Sequence, residues 1–167
     1  VYTSPHLINF NERIRIKNKL IPNKTLIEIL EEIETKNNYK PITFFEITTA
    51  AAILAFSRNE SDINIFEAGL GGRLDATNVI DKKKLCIITK IGFDHQEFLG
   101  ENIENIASEK AGIFRENTPI VLAKQNNKKA LKVLINSASK FKSKLIKLEQ
   151  VSKKATLGLK GSHQYEN

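Results

Sequence analysis

Residues 62–78 read DINIFEAGLGGRLDATN, and the two halves of that stretch follow different rules. The first half, 62–68, is a short apolar run that carries Glu67 near its end, the pattern of a buried strand in a parallel sheet. The second half puts Gly69, Gly71 and Gly72 directly behind that strand, as a loop whose backbone approaches a ligand or as a tight turn. Further along the chain the same grammar repeats. Residues 85–91 (LCIITKI) form a second apolar run, which ends in a second unusual loop, GFDHQEFLG. A helix over 103–114, a strand over 119–123, a helix over 128–141 and a strand over 144–148 follow. Strands alternating with helices predict an α/β chain with an open, mostly parallel sheet flanked by helices on both faces. Ligands in such sheets gather at the carboxyl ends of the strands, where both unusual loops fall.

Towards the N-terminus, Val1-Tyr2-Thr3 reads as the end of a strand and Ser4-Pro5 as a turn. Residues 8–16 (INFNERIRI) alternate in polarity, which predicts an extended segment. Residues 25–36 place Leu26, Ile29, Leu30 and Ile33 on one helical face. Thr43-Phe44-Phe45-Glu46 is a capping box that opens an alanine-rich helix running to about residue 56.

Composition sets the outer bounds. The 167 residues and 18.8 kDa give room for one domain or most of one, and 41% apolar with 27% charged residues is a globular balance. The single cysteine, Cys86, excludes an internal disulfide framework. No apolar run approaches the roughly 18 residues of a spanning helix, and the expectation is a soluble cytoplasmic protein. The net charge of +7 is uneven: residues 1–100 carry 13 basic and 13 acidic side chains, and 101–167 carry 13 and 6. Apart from Phe141, no aromatic residue interleaves the later lysines as a stacking platform for nucleic acid, so a bias towards lysine explains the excess better than a polyanion partner. Both ends read as cut, with no partner strand before Val1 and no helix end or turn at GSHQYEN.

Several residues invite chemistry, and each also has a plain structural reading. Glu67 closes an apolar strand, where a carboxylate is costly to bury unless paired or metal-bound. His95, beside Asp94, lies in the loop of the next strand, and neighbouring strands about 4.8 Å apart can bring two such loops to one ion. A satisfied polar pair would look the same. Ser4 could ligate a cation or simply start a turn; Lys110 could be an ordinary solvated helix lysine; the capping box already explains Glu46. The glycine loop is neither G-x-x-x-x-G-K-[ST] nor G-x-G-x-x-G.

Taken in order, YTSPHL with NERIRI, TFFEITTAA, FEAGLGGRLDATN, GFDHQEFLG, EKAGIF and G-x-HQ-x-x-N resemble the bacterial folylpolyglutamate synthase and dihydrofolate synthase family, a branch of the Mur ligase superfamily. The resemblance runs from Val1 to Asn167. It implies that Ser4, Glu67 and His95 are magnesium ligands, and that Lys110 is carbamylated, holds a second magnesium and serves catalysis. It further implies that Thr43, Phe44, Phe45 and Glu46, with Leu74, Asp75 and Ala76, line the pterin site, and that Asn167 contacts the nucleotide. Residues 1–167 would then be part of a Mur ligase-type central domain, without its phosphate loop and without the C-terminal glutamate-ligase domain.

The implied reaction is ATP-dependent amide formation, in which a pteroate or folate carboxylate takes the γ-phosphoryl group and the L-glutamate amine attacks the acyl phosphate. ATP is a substrate and two Mg²⁺ ions are expected, with Mn²⁺ as a substitute suggested by the histidine ligand. The intact enzyme would be a bifunctional, monomeric, cytoplasmic ligase with no membrane or nucleic-acid partner, and this stretch would be inactive alone. The rival readings are a Mur-type cell-wall amino-acid ligase, against which TSPHL with DATN argues, and a non-catalytic basic nucleic-acid-binding domain.

Overall fold

The computed structural model describes residues 1–93 and 96–148. It divides into two compact units, Val1–Leu70 with Asp75–Val79, and Gly71–Leu74 with Ile80–Asn167.

The first unit is built on two helices, α1 (Asn23–Lys36) and α2 (Phe44–Ser57), and a hairpin of β1 (Arg15–Ile16) with β2 (Lys19–Leu20). Leu26 and Ile29 of α1 meet Ala51, Ala52, Ala55 and Phe56 of α2 in one core with Tyr2, Ile14 and Ile21. Small alanines let the helices approach closely, while Leu30, Ile33 and Phe66 seal the margin. The capping box forms as its sequence requires. The Thr43 hydroxyl accepts from the Glu46 amide at 3.2 Å, and the Glu46 carboxylate accepts from the Thr43 amide at 2.8 Å.

Two expectations fail here. The alternating stretch 8–16 is not extended throughout, because Phe10–Arg13 is a short 3₁₀ helix. Glu12 is the reason: its carboxylate accepts from the amides of Leu7, Ile8 and Asn9, coiling the backbone before β1 can begin. Those backbone bonds hold the Glu12 carboxyl below its ordinary 4.5. The apolar run 62–68 is not buried either. Ile63 and Ile65 are 68% and 55% exposed, and only Phe66 bridges to a neighbour, in parallel with Tyr2.

The second unit is a parallel three-stranded sheet in the order β3 (Cys86–Ile88), β4 (Ile120–Leu122), β5 (Leu145–Lys147). Helices α3 (Gln96–Leu99), α4 (Ile103–Ala111) and α5 (Lys128–Lys140) connect the strands. Asn102 caps α4 and Asn127 caps α5, each side-chain oxygen accepting amides of the first turn. Cys86, Ile88, Ile120 and Leu122 share one core with Ile103, Ile106 and Ala107 of α4 and Ala130, Leu134 and Ala138 of α5. The parallel sheet with its connecting helices is the expected α/β arrangement, and its opposite face carries apolar side chains as well. Ile87 and Ile146 are 56% and 38% exposed there.

Candidate functional site

The first unit collects most of the residues named above, and backbone pairing explains how. The Tyr2 amide donates to the Ile65 carbonyl at 2.8 Å, and the Tyr2 carbonyl accepts from the Glu67 amide at 3.0 Å. Two segments that run parallel at Tyr2 and Phe66 deliver Ser4, two residues on, and Glu67, the next residue, to the same end. There the Ser4 amide donates to Glu67 Oε2 at 2.9 Å. Glu67 is exposed, so its carboxylate is not a charge forced into an apolar strand end. The Ser4 hydroxyl and the other Glu67 oxygen have no hydrogen-bond partner among the described residues.

On the far side of this pair, the Tyr2 hydroxyl bonds Thr48 Oγ1 at 3.0 Å and Thr49 Oγ1 at 3.2 Å, fixing α2 beneath it. The start of α2 therefore belongs to the same cluster. Phe45 lies against Gly69 so closely that a Cβ built there would sit 2.4 Å from the ring. Phe44 is 58% exposed. Thr43 is exposed, and its hydroxyl and amide hold the Glu46 carboxyl below the ordinary 4.5.

Asp75 organises the glycine loop. Its Oδ2 accepts from the amides of Gly69 at 2.8 Å and Leu70 at 2.9 Å, and its Oδ1 from the amide and hydroxyl of Thr77. With four donors and a buried side chain, this carboxylate is spent on the loop itself. Sequence reasoning gave it no structural task, although Asp-x-Thr behind a glycine run signals a carboxylate that folds back on its own backbone. Ala76 lies beside it, half-buried, in a short 3₁₀ turn, Ala76–Val79. Arg13 was missed as well, because an arginine in an alternating stretch reads as solvent-facing, whereas this one is 8% exposed.

The second unit carries Leu74, which is 79% exposed, and Lys110. Lys110 is half-buried in the last turn of α4 and has no ion-pair partner among the described residues, whereas neighbouring Glu109 pairs with Arg73 at 3.0 Å. Gly71 takes φ +66°, a conformation other residues avoid. Cys86 is no nucleophile: burial pushes its thiol up, and its sulfur donates to the Ile113 carbonyl at 3.4 Å. Lys83 donates to that same carbonyl at 2.9 Å, and burial pushes its ammonium down.

His95, Asp94 and Asn167 lie outside the described residues. Within the first unit Phe66 pairs with Tyr2, and within the second β3 pairs with β4. Among the described residues no group of three or more His, Cys, Asp or Glu side chains could hold a metal. A free carboxylate oxygen and a free hydroxyl are still a chemical fit for a hard cation, which takes one or two protein oxygens and completes its shell with water and phosphate.

The Mur ligase middle domain family matches residues 16–167. The chain is 47% identical over 126 residues to the dihydrofolate synthase/folylpolyglutamate synthase of Haemophilus influenzae, which covers 75% of this chain and 28% of that protein. It resembles the structure of Escherichia coli FolC in complex with DHPP and ADP, with a TM-score of 0.81 and 34% identity over 87% of this chain and 34% of that one. A bifunctional folylpolyglutamate synthase/dihydrofolate synthase with Mn, AMPPNP and L-glutamate bound gives a TM-score of 0.78 and 34% identity over 87% of this chain and 35% of that one. The chain thus spans about a third, or less, of the length of these relatives.

Proposed function

The chain belongs to the Mur ligase family as a middle domain, and from that premise we propose that it forms part of the active site of an ATP-dependent ligase, which joins L-glutamate to dihydropteroate or folate through an acyl phosphate. The observation that carries the reading is the Ser4–Glu67 pair, delivered by parallel pairing at Tyr2 and Phe66 in the same unit as the start of α2. The relatives supply the substrate class: one has DHPP and ADP bound, another Mn, AMPPNP and L-glutamate. Bifunctionality, a cytoplasmic setting and a monomeric state complete the proposal, and no helix among the described residues is long and apolar enough to cross a membrane.

The chemistry has one electrostatic difficulty. An acceptor carboxylate must attack a polyanionic triphosphate, so the approach is repulsive until positive charge offsets it. Divalent cations, Mg²⁺ by preference and Mn²⁺ as a substitute, supply that charge when bound. Glu67 and Ser4 give oxygen donors for one such ion, with His95 as the third ligand. The Ser4 amide orients the carboxylate by occupying one oxygen and leaving the other free. Lys110 contributes once its amine nitrogen adds to CO₂ and loses a proton, which turns a cation into an anionic oxygen donor for the second ion. Thr43, Phe44, Phe45 and Glu46, with Leu74, Asp75 and Ala76, border the pterin ring, and Asn167 meets the nucleotide.

The test uses the ligase that carries this chain. Glu67→Gln keeps the bond from the Ser4 amide but removes the charge, so ATP- and glutamate-dependent product formation should fall by roughly 10²–10³-fold. Lys110→Ala should fall similarly and recover in part when a small carboxylate is added. Full turnover in Glu67→Gln would reduce the pair to an ordinary turn, and full turnover in Lys110→Ala would remove the carbamate.

A further inference from the structure

We propose that Arg13 is a positioning residue for the acceptor, holding the first turn of α2 against the loop that carries Ser4. The proposal rests on the ligase reading above. Arg13 is 8% exposed, yet no carboxylate among the described residues pairs with it. A buried cation without a counter-charge is costly, so its surroundings must compensate. Three groups do so. Its guanidinium carbon lies 5.7 Å from the centroid of Phe10 and 5.3 Å from that of Phe44, within reach of a cation–π attraction to both rings. Its Nε donates to His6 Nδ1 at 3.0 Å, which makes that nitrogen the acceptor and leaves the imidazole proton on Nε2.

The rest of the cluster is mutually braced. The Phe10 ring meets those of His6 at 5.7 Å and Phe44 at 5.6 Å, both edge to face. The Phe10–Arg13 turn is pinned by the Glu12 carboxylate, so Arg13 starts from a stiff backbone. Main chain and side chain of Arg13 then act in different directions. The carbonyl accepts from the Thr3 amide at 3.0 Å, one residue before Ser4. The guanidinium reaches Phe44, the first residue of α2 and a member of the proposed acceptor turn. One residue thereby links the cation side of the site to the acceptor side. Only a planar guanidinium can stack on a ring and donate to an imidazole at once, so lysine is not an equivalent.

The experiment measures steady-state kinetics of the intact ligase, with equilibrium binding of pteroate followed by fluorescence. Arg13→Gln should raise the KM for the pteridine acceptor roughly tenfold, with kcat and the KM for ATP within about twofold of wild type. Phe44→Leu should act in the same direction, and the double variant should add little to either single one. Arg13→Lys should recover only part of the loss. Equal damage to kcat and to the ATP KM would mark Arg13 as merely structural and overturn the proposal. So would an unchanged acceptor KM in Phe44→Leu, which decides the matter even if Arg13→Gln fails to fold. If the wild-type protein binds pteroate but forms no product, the ligase reading falls, and the pteroate affinities of the same variants then decide the role of Arg13. If it neither binds nor ligates, both fall.

Discussion

At the scale of single residues, Asp75 shows what a carboxylate does when the backbone rather than a ligand claims it. Four donors converge on it, three of them amides of a loop that has no regular structure to satisfy them otherwise. Asp75→Ala would leave those amides without partners, and a buried unsatisfied donor costs about 1–3 kcal/mol. The expected outcome is a loss of about 2–4 kcal/mol in urea unfolding, among the larger single-residue effects. Asp75→Asn keeps the shape but turns one acceptor into a donor facing N–H groups, so it should recover little. A loss below about 0.5 kcal/mol for Asp75→Ala would show that water replaces the carboxylate. Glu67 marks the limit of residue-level reading. Its importance was legible from an acid closing an apolar run, but the stated reason, burial, does not hold in the structure. The carboxylate is exposed, and its location follows from the Tyr2–Phe66 bridge, a pairing between segments more than sixty residues apart that no local pattern encodes.

Among elements, the legible ones are those whose signal is local. The capping box at Thr43 and Glu46 fixes where α2 begins, and the apolar period places α1, α4 and α5 within two or three residues of their observed ends. Phe10–Arg13 escaped because a side chain three residues along overrode an alternating pattern. The run 62–68 escaped for a different reason. An apolar run says that residues seek cover, not that cover exists within the described chain. The α2 cap also yields a pH prediction with a definite sign. Thr43 holds the Glu46 carboxyl below its ordinary 4.5, so the ionised form supports the fold. That support is fully present above pH 4.5 and is lost as pH falls through the lowered folded value. Thr43→Ala should cost about 1 kcal/mol at neutral pH and flatten the acid limb of the stability curve, read by circular dichroism from pH 6 to pH 2. An acid limb identical to wild type would show that the cap carries none of the pH dependence.

Across the whole molecule, two units with separate cores share a chain that crosses between them at the glycine loop, residues 71–74 and 75–79 falling to different units. Each unit leaves apolar residues in solvent: Ile63 and Ile65 beside the Phe66 bridge in the first, Ile87 and Ile146 on the sheet of the second. Exposed apolar strand surface favours association through unpaired edges. The 167-residue polypeptide expressed by itself is therefore expected to self-associate, and sedimentation should show species heavier than 18.8 kDa that Ile87→Lys reduces. It is also expected to form no ligation product, since its sequence contains no G-x-x-x-x-G-K-[ST] run to cradle the phosphates. Product above background, abolished by Glu67→Gln, would overturn that expectation.

The contact between Gly69 and Phe45 constrains the order in which this site can change over generations. A side chain at position 69 would put its first carbon 2.4 Å from the Phe45 ring, a separation no packed structure tolerates. Gly69→Ala alone therefore forces the Phe45 ring aside, while Phe45→Leu followed by Gly69→Ala passes through a cavity that the new methyl group then fills. Substitution at position 69 is thus tied to residue 45, and a smaller side chain at 45 removes the obstacle that the phenylalanine ring presents.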